Sequence, residues 1–142
     1  MCLKKILLNA NNLKINYYIN ILIIVMSTPF QKKFSFDKRK LEANRIIEKF
    51  PDKIPVIVEQ GKSDKLPKID KSKFLVPQDI TVGQFMTIIR KRIDLTESEA
   101  FFIFVKNEVL PSNSTTIANI YESYKNDDGF LYMTYCGENV FG

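Results

Sequence analysis

Apolar positions along the chain fall into short blocks whose spacing changes between a helical and an extended period. Ala43, Ile46, Ile47 and Phe50 recur at i, i+3, i+4 and i+7, which predicts a helix entered through Phe36-Asp37-Lys38-Arg39-Lys40. Asp37 is the expected N-cap, and Pro51 stops the helix. Ile54-Pro55-Val56-Ile57-Val58-Glu59 reads as a β-branched strand. Residues 60–70 are polar, with Gly61, Asp64 and Pro67, and read as a loop. Lys73-Phe74-Leu75-Val76-Pro77 is a second strand, and its proline favours an edge position. Thr81-Val82-Gly83-Gln84 is a capping box in front of a helical stripe of Val82, Phe85, Met86, Ile89 and Ile93. Arg90-Lys91-Arg92 closes that helix, where cations suit its dipole. The unbroken apolar run Ala100 to Val105 reads as a central strand. Ile117, Ile120, Tyr121 and Tyr124 mark a short helix, and Asp127-Asp128-Gly129 turns the chain into a last strand from Phe130 to Tyr135. The order strand, strand, helix, strand, helix, strand predicts an α+β fold with a mixed sheet crossed by a helix on one face.

Residues 1–26 break this pattern. Ile19 and the run Ile21 to Val25 are apolar, but Asn9, Asn11, Asn12, Asn16 and Asn20 interrupt the segment, and no small-residue cleavage site follows. The run is also shorter than the ~20 residues that span a bilayer. It is expected to be an atypical extension with Met26 as the working initiator. A targeting segment or a membrane anchor is the alternative.

Charge narrows the reading. The net charge is +5, and Lys4, Lys5 and Lys14 in the extension account for +3, leaving 18 basic against 16 acidic side chains, or +2. That is too mild to predict nucleic-acid binding. The length of 142 residues suits one domain, here residues 27–136, followed by a flexible tail at 137–142. Two cysteines, Cys2 and Cys136, support neither a disulfide framework nor a zinc site. Cys136 sits in an apolar strand pattern and reads as a small core residue. Histidine is absent, which removes the Ser-His and Cys-His nucleophile systems, and no glycine-rich phosphate loop occurs. No metal, no cofactor and no enzymatic activity are therefore expected.

Several stretches resemble the autophagy-related protein eight family of ubiquitin-like modifiers, which includes the GABA-receptor-associated protein and the microtubule-associated light chains. They are Phe36-Asp37-Lys38-Arg39-Lys40, Lys53 to Glu59, Ile69-Asp70-Lys71, Phe74-Leu75-Val76-Pro77, Thr81 to Phe85, Ile88 to Ile93, Phe102-Ile103-Phe104-Val105, Asp127 to Tyr132, and Gly137 to Gly142. The resemblance covers residues 28–142 and none of residues 1–25. It implies a ubiquitin-like β-grasp with two additional N-terminal helices. It also implies conjugation of Gly142 to phosphatidylethanolamine by activating and conjugating enzymes of the ubiquitin-like type, with a deconjugating cysteine protease acting on the tail. A glycine puts no Cβ beside the carboxyl that must enter those active sites. With nothing after Gly142, no priming cut is expected. Two acyl chains hold a protein on a bilayer far better than one, so the lipid alone would anchor it.

By the same resemblance, cargo receptors carry an aromatic residue, two variable residues and an aliphatic residue, and dock on an edge strand. The aromatic pocket maps to Glu42, Ile46, Pro55, Ile57, Lys73, Leu75 and Phe130. The aliphatic pocket maps to Phe74, Val76, Pro77, Ile80, Phe85 and Ile88. Lys71, Lys73 and Arg92 are expected to meet acids flanking the motif. Phe74 stands where tyrosine is common in the family. Read from the residues alone, Ile57, Phe85 and Ile88 are better taken as ordinary core. The protein is expected in the cytoplasm and, when lipidated, on autophagosomal and vacuolar or lysosomal membranes. The alternative is a non-lipidated trafficking or cytoskeletal adaptor using the same groove.

Overall fold

The computed structural model describes residues 28–61, 65–96, 98–106 and 109–137. The N-terminal extension, Asp64 and the residues after Gly137, including Gly142, lie outside them. The chain divides between Ser35 and Phe36 into two compact units.

In the first unit, α1 spans Pro29–Lys33. Thr28 caps it: the Gln31 amide donates to the Thr28 hydroxyl at 3.2 Å, and the Thr28 amide donates to the Gln31 side chain at 3.0 Å. Pro29 occupies the first turn, where its missing N–H is not needed.

The second unit begins with α2, Phe36–Lys49. Asp37 therefore lies within the first helical turn and is not the N-cap, although its charge still complements the dipole there. Then follow β1 (Lys53–Gln60), β2 (Lys73–Pro77), α3 (Val82–Arg92), β3 (Phe101–Val105), α4 (Ile117–Tyr124) and β4 (Leu131–Gly137). The four strands form one mixed sheet in the order β2-β1-β4-β3, with β1 and β4 parallel and the two outer pairs antiparallel. Ala100 to Val105 thus ends as an edge strand, not a central one. Its apolar run reflects burial: Phe101, Ile103 and Val105 point into the core, and Phe102 and Phe104 are half-buried on the other face. β4 runs through Gly137, the first residue of the expected tail, which pairs with Phe101.

One sheet face packs against α3 and α4. Ile54, Val56, Val58, Phe74, Val76, Ile103, Leu131, Met133 and Tyr135 meet Val82, Phe85, Ile89, Ile93, Ile117 and Ile120. The other face carries Pro55, Ile57 and Tyr132 and is covered in part by α2, whose Ala43 and Ile46 are buried. Because β1 is covered on both faces, five successive residues of it are buried and its sequence shows no alternation. Thr81 caps α3 through a reciprocal pair of bonds with Gln84, at 3.2 and 2.9 Å. The helix start is tied to the segment before α4: Val82 N–H donates to Thr115 and Gly83 N–H to Asn113, both at 2.9 Å. Cys136 is buried, as its strand pattern predicts.

Candidate functional site

The open side of β2 is the first element of the site. Val58 N–H donates to Ser72 at 2.8 Å and Gln78 N–H to Asp52 at 3.1 Å, one pair beyond each end of the β1–β2 register. Hydrogen-bonded pairs alternate with non-bonded ones in an antiparallel ladder. The bonded pairs are therefore Val56 with Phe74 and Ile54 with Val76, and the non-bonded pairs are Ile57 with Lys73, Pro55 with Leu75 and Lys53 with Pro77. It follows that the backbone N–H and C=O groups of Lys73 and Leu75 point away from the sheet. So does the C=O of Pro77, whose missing N–H would have pointed the same way. The two prolines sit where they remove no bond between β1 and β2.

Side chains of β2 alternate between the two sheet faces. Lys73 and Leu75 share a face with their cross-strand partners Ile57 and Pro55, and with Phe130, which precedes β4. Here the aromatic pocket was expected, and its residues divide into two layers. Ile57 and Phe130 have no exposure, Pro55 is buried, and Ile46 of α2 is nearly so. They form a buried floor on the α2 side of the sheet. Leu75, 38% exposed, and the ion-paired Lys73 and Glu42 form the rim. The Lys73 ammonium donates to Glu42 across the mouth and links β2 to α2. A concavity of about 390 Å³ runs along α2 and shares Glu42 and Ile46 with this pocket. Its other lining residues, Lys38, Leu41, Arg45, Lys49 and Phe50, were not assigned from the sequence, although their spacing on one helix face was legible.

On the opposite face, the residues of the expected aliphatic pocket are mostly core. Phe74, Val76 and Phe85 are buried, and the Phe74 and Phe85 rings meet edge to face with centroids 5.9 Å apart. Ile80 and Ile88 present surface, with Ile88 43% exposed, whereas Pro77, two positions after Leu75, falls on the Lys73 and Leu75 side of the strand. The three cations near the edge are each engaged. Lys73 pairs with Glu42, Arg92 lies 3.6 Å from Asp70, and the Lys71 ammonium sits 5.3 Å from the centre of the Phe74 ring. Such exposed pairs are weak, about 0–1 kcal/mol, so an incoming acidic side chain can replace them.

Behind Phe130 lies a polar knot that the sequence reading missed. Asp128 is fully buried. Its carboxylate accepts from Arg39 Nη1 of α2 at 2.5 Å, from the Tyr132 hydroxyl at 2.5 Å and from the Phe130 amide at 2.9 Å. Burial, followed by the hydrogen bond to Asp128, pushes the Tyr132 phenol well above its ordinary range. Tyr121 donates to the Gly129 carbonyl at 2.8 Å, and burial ahead of the Asp128 charge raises its phenol too.

Among the described residues, no group of three His, Cys, Asp or Glu side chains is placed to hold a metal, and no helix is long and apolar enough to cross a membrane.

The chain matches the family model "Autophagy protein Atg8 ubiquitin like" over residues 38–142. It is 54% identical over 117 residues to Autophagy-related protein 8 of Mycosarcoma maydis, covering 82% of this chain and 98% of that protein. It is 56% identical over 113 residues to Autophagy-related protein 8e of Arabidopsis thaliana, covering 80% and 92%. The crystal structure of Trypanosoma brucei ATG8 superposes with a TM-score of 0.75 at 38% identity, covering 79% of this chain and 96% of that one. Mixed sheet, crossing helix, preceding helices and these similarities agree, and the chain belongs to the Atg8 family of ubiquitin-like autophagy proteins.

Proposed function

We propose that this chain is a lipid-conjugated modifier that helps autophagosomes form and docks cargo receptors along β2. The observation that carries the docking reading is the open β2 edge, flanked on one sheet face by Leu75 and on the other by Ile88, both exposed. An extended peptide pairing with Lys73 and Leu75 would place alternate side chains on opposite faces of the sheet. An aromatic residue would meet Leu75 after displacing Lys73 from Glu42, with Ile46, Pro55, Ile57 and Phe130 beneath it. An aliphatic residue would meet Ile80 and Ile88, with Phe74, Val76 and Phe85 supporting them and Pro77 at the end of the edge. Lys71, Lys73 and Arg92 would receive flanking acids.

Conjugation rests on family membership and on the glycine at position 142. Once that carboxyl is a free end, an activating enzyme would adenylate it with loss of pyrophosphate. A cysteine thiol would displace the nucleotide, and the amine of phosphatidylethanolamine would displace the thiol. A deconjugating cysteine protease would reverse the final amide. The fold would supply the address and the docking surface, with none of the catalysis. The protein would then move between the cytoplasm and autophagosomal and vacuolar or lysosomal membranes.

Mass spectrometry of the membrane fraction from nutrient-starved cells tests this. It should find a phosphatidylethanolamine amide on Gly142, and Gly142→Ala should abolish both the adduct and membrane association. Membrane association that persists without the adduct would sink the conjugation reading and favour a non-lipidated adaptor.

A further inference from the structure

The Asp128 knot lies where two walls of the expected aromatic pocket meet. Asp128 has no exposure, and the Arg39 side chain that pairs with it is 11% exposed. Bringing a carboxylate and a guanidinium out of water is expensive, and well-packed apolar side chains often stabilise such a position equally well. The arrangement therefore calls for an explanation beyond stability, and its geometry supplies one. One carboxylate oxygen holds the backbone amide of Phe130, whose ring is the pocket floor and meets the Tyr132 ring edge to face at 6.4 Å. The other holds Arg39 and Tyr132, and Arg39 Nη1 also reaches the Tyr132 hydroxyl at 3.3 Å. Arg39 is three residues before Glu42 and seven before Ile46, so all three occupy neighbouring positions on one side of α2. Glu42 is the rim partner of Lys73. A second contact backs the first: a Cβ on Gly129 would lie 2.9 Å from the Ala43 side chain, so turn and helix already touch there.

We infer that Asp128, through Arg39, Tyr132 and the Phe130 amide, is a positioning residue that fixes the spacing between the α2 wall and the floor of the aromatic pocket, and so sets how strongly the protein selects an aromatic side chain. The inference rests on the docking reading above and deepens it. The aliphatic side, built on α3 and the other sheet face, is independent of the knot. Selection at the two motif positions is thus separable.

Three variants test this in the full chain. Asp128→Asn removes the charge, Arg39→Lys keeps the cation but loses the guanidinium, and Tyr132→Phe keeps the ring but loses the hydroxyl. Because Asp128→Asn removes the negative charge facing a buried guanidinium and risks failing to fold, the other two keep the test decisive. Titration calorimetry compares Trp-x-x-Leu with Ala-x-x-Leu peptides, then with Trp-x-x-Ala. The first affinity ratio should fall about tenfold in Arg39→Lys and in folded Asp128→Asn, and by less in Tyr132→Phe. The second ratio should stay at the wild-type value. Ratios that both hold, or that fall together, would overturn the inference. Amide hydrogen exchange without peptide provides a separate readout. Exchange at Phe130, Ala43 and Ile46 should quicken in the variants while Phe85 and Ile89 stay protected, and uniform quickening would count against the positioning role. Should the wild type discriminate at neither peptide position, the docking reading fails, and the exchange pattern alone decides whether the knot holds the two walls.

Discussion

Single residues carry constraints that no pattern of apolar positions reports. Gly129 has φ +90, a conformation that side chains rarely adopt, and its Cα faces Ala43 closely enough to exclude a Cβ. Gly129→Ala should destabilise the protein by about 1–3 kcal/mol, the scale of backbone strain plus a close contact, read from the denaturant midpoint. An unchanged midpoint would mean that turn and helix separate freely. Tyr132 gives a second readout. Its phenol ordinarily titrates at 10.0 but is held protonated in the fold by burial and by its bond to Asp128. Above pH 10 the unfolded chain loses this proton first, so it binds fewer protons than the folded one, and stability falls as pH rises. Chemical denaturation from pH 9 to 11 should show that decline, with a shallower slope in Tyr132→Phe. Equal slopes would show that Tyr132 makes no contribution. None of this was legible in advance. Asp128 and Arg39 are 89 residues apart, and Asp127-Asp128-Gly129 announced a turn without announcing its partner.

At the scale of elements the sequence was more informative, and its failures have physical causes. Helical spacing located α2, α3 and α4, a β-branched run located β1, and apolar runs bounded by turn or proline signals located the other three strands. Thr28 and Gln31 carry the same cap signal as Thr81 and Gln84, with a proline in the first turn, yet five residues of α1 offer no apolar stripe to read. The strand at Phe101 was placed centrally because unbroken apolar residues report burial of both faces, which says nothing about how many neighbours are paired. The pockets suffered the same ambiguity. The resemblance groups Phe85 with Ile88 and Ile57 with Leu75, and only the fold separates floor from rim. That separation predicts opposite mutational outcomes. Leu75→Glu should change stability by no more than about 0.5 kcal/mol while weakening aromatic-x-x-aliphatic peptide binding at least tenfold. Phe85→Ala should cost about 3–5 kcal/mol, because it opens a cavity beside Phe74. Thermal unfolding together with peptide titration distinguishes the two. A stable Phe85→Ala, or a Leu75→Glu that binds as well as wild type, would undo the division.

For the molecule as a whole, charge governs approach more than grip. Residues 27–142 carry a net charge of only +2, but Lys71, Lys73 and Arg92 concentrate along the proposed docking side, each already weakly engaged. Peptides with acids beside the motif should therefore associate faster at low salt. Stopped-flow rates should fall as ionic strength rises from 10 to 150 mM, where the Debye length shrinks from about 30 to about 8 Å, with dissociation rates nearly constant. A salt-independent association rate would show that these cations do not steer.

The proline at the end of β2 bears on what happens when two copies meet at high concentration. Two copies meeting edge to edge, antiparallel and centred on Leu75, would set Lys73 of each against Pro77 of the other. At both ends of that mismatched seam one carbonyl would find no hydrogen to accept, and two ammonium groups would be drawn toward dry backbone. A foreign strand without that imino acid suffers neither defect. In that register the margin takes a strand lacking the imino acid more readily than a second copy of itself.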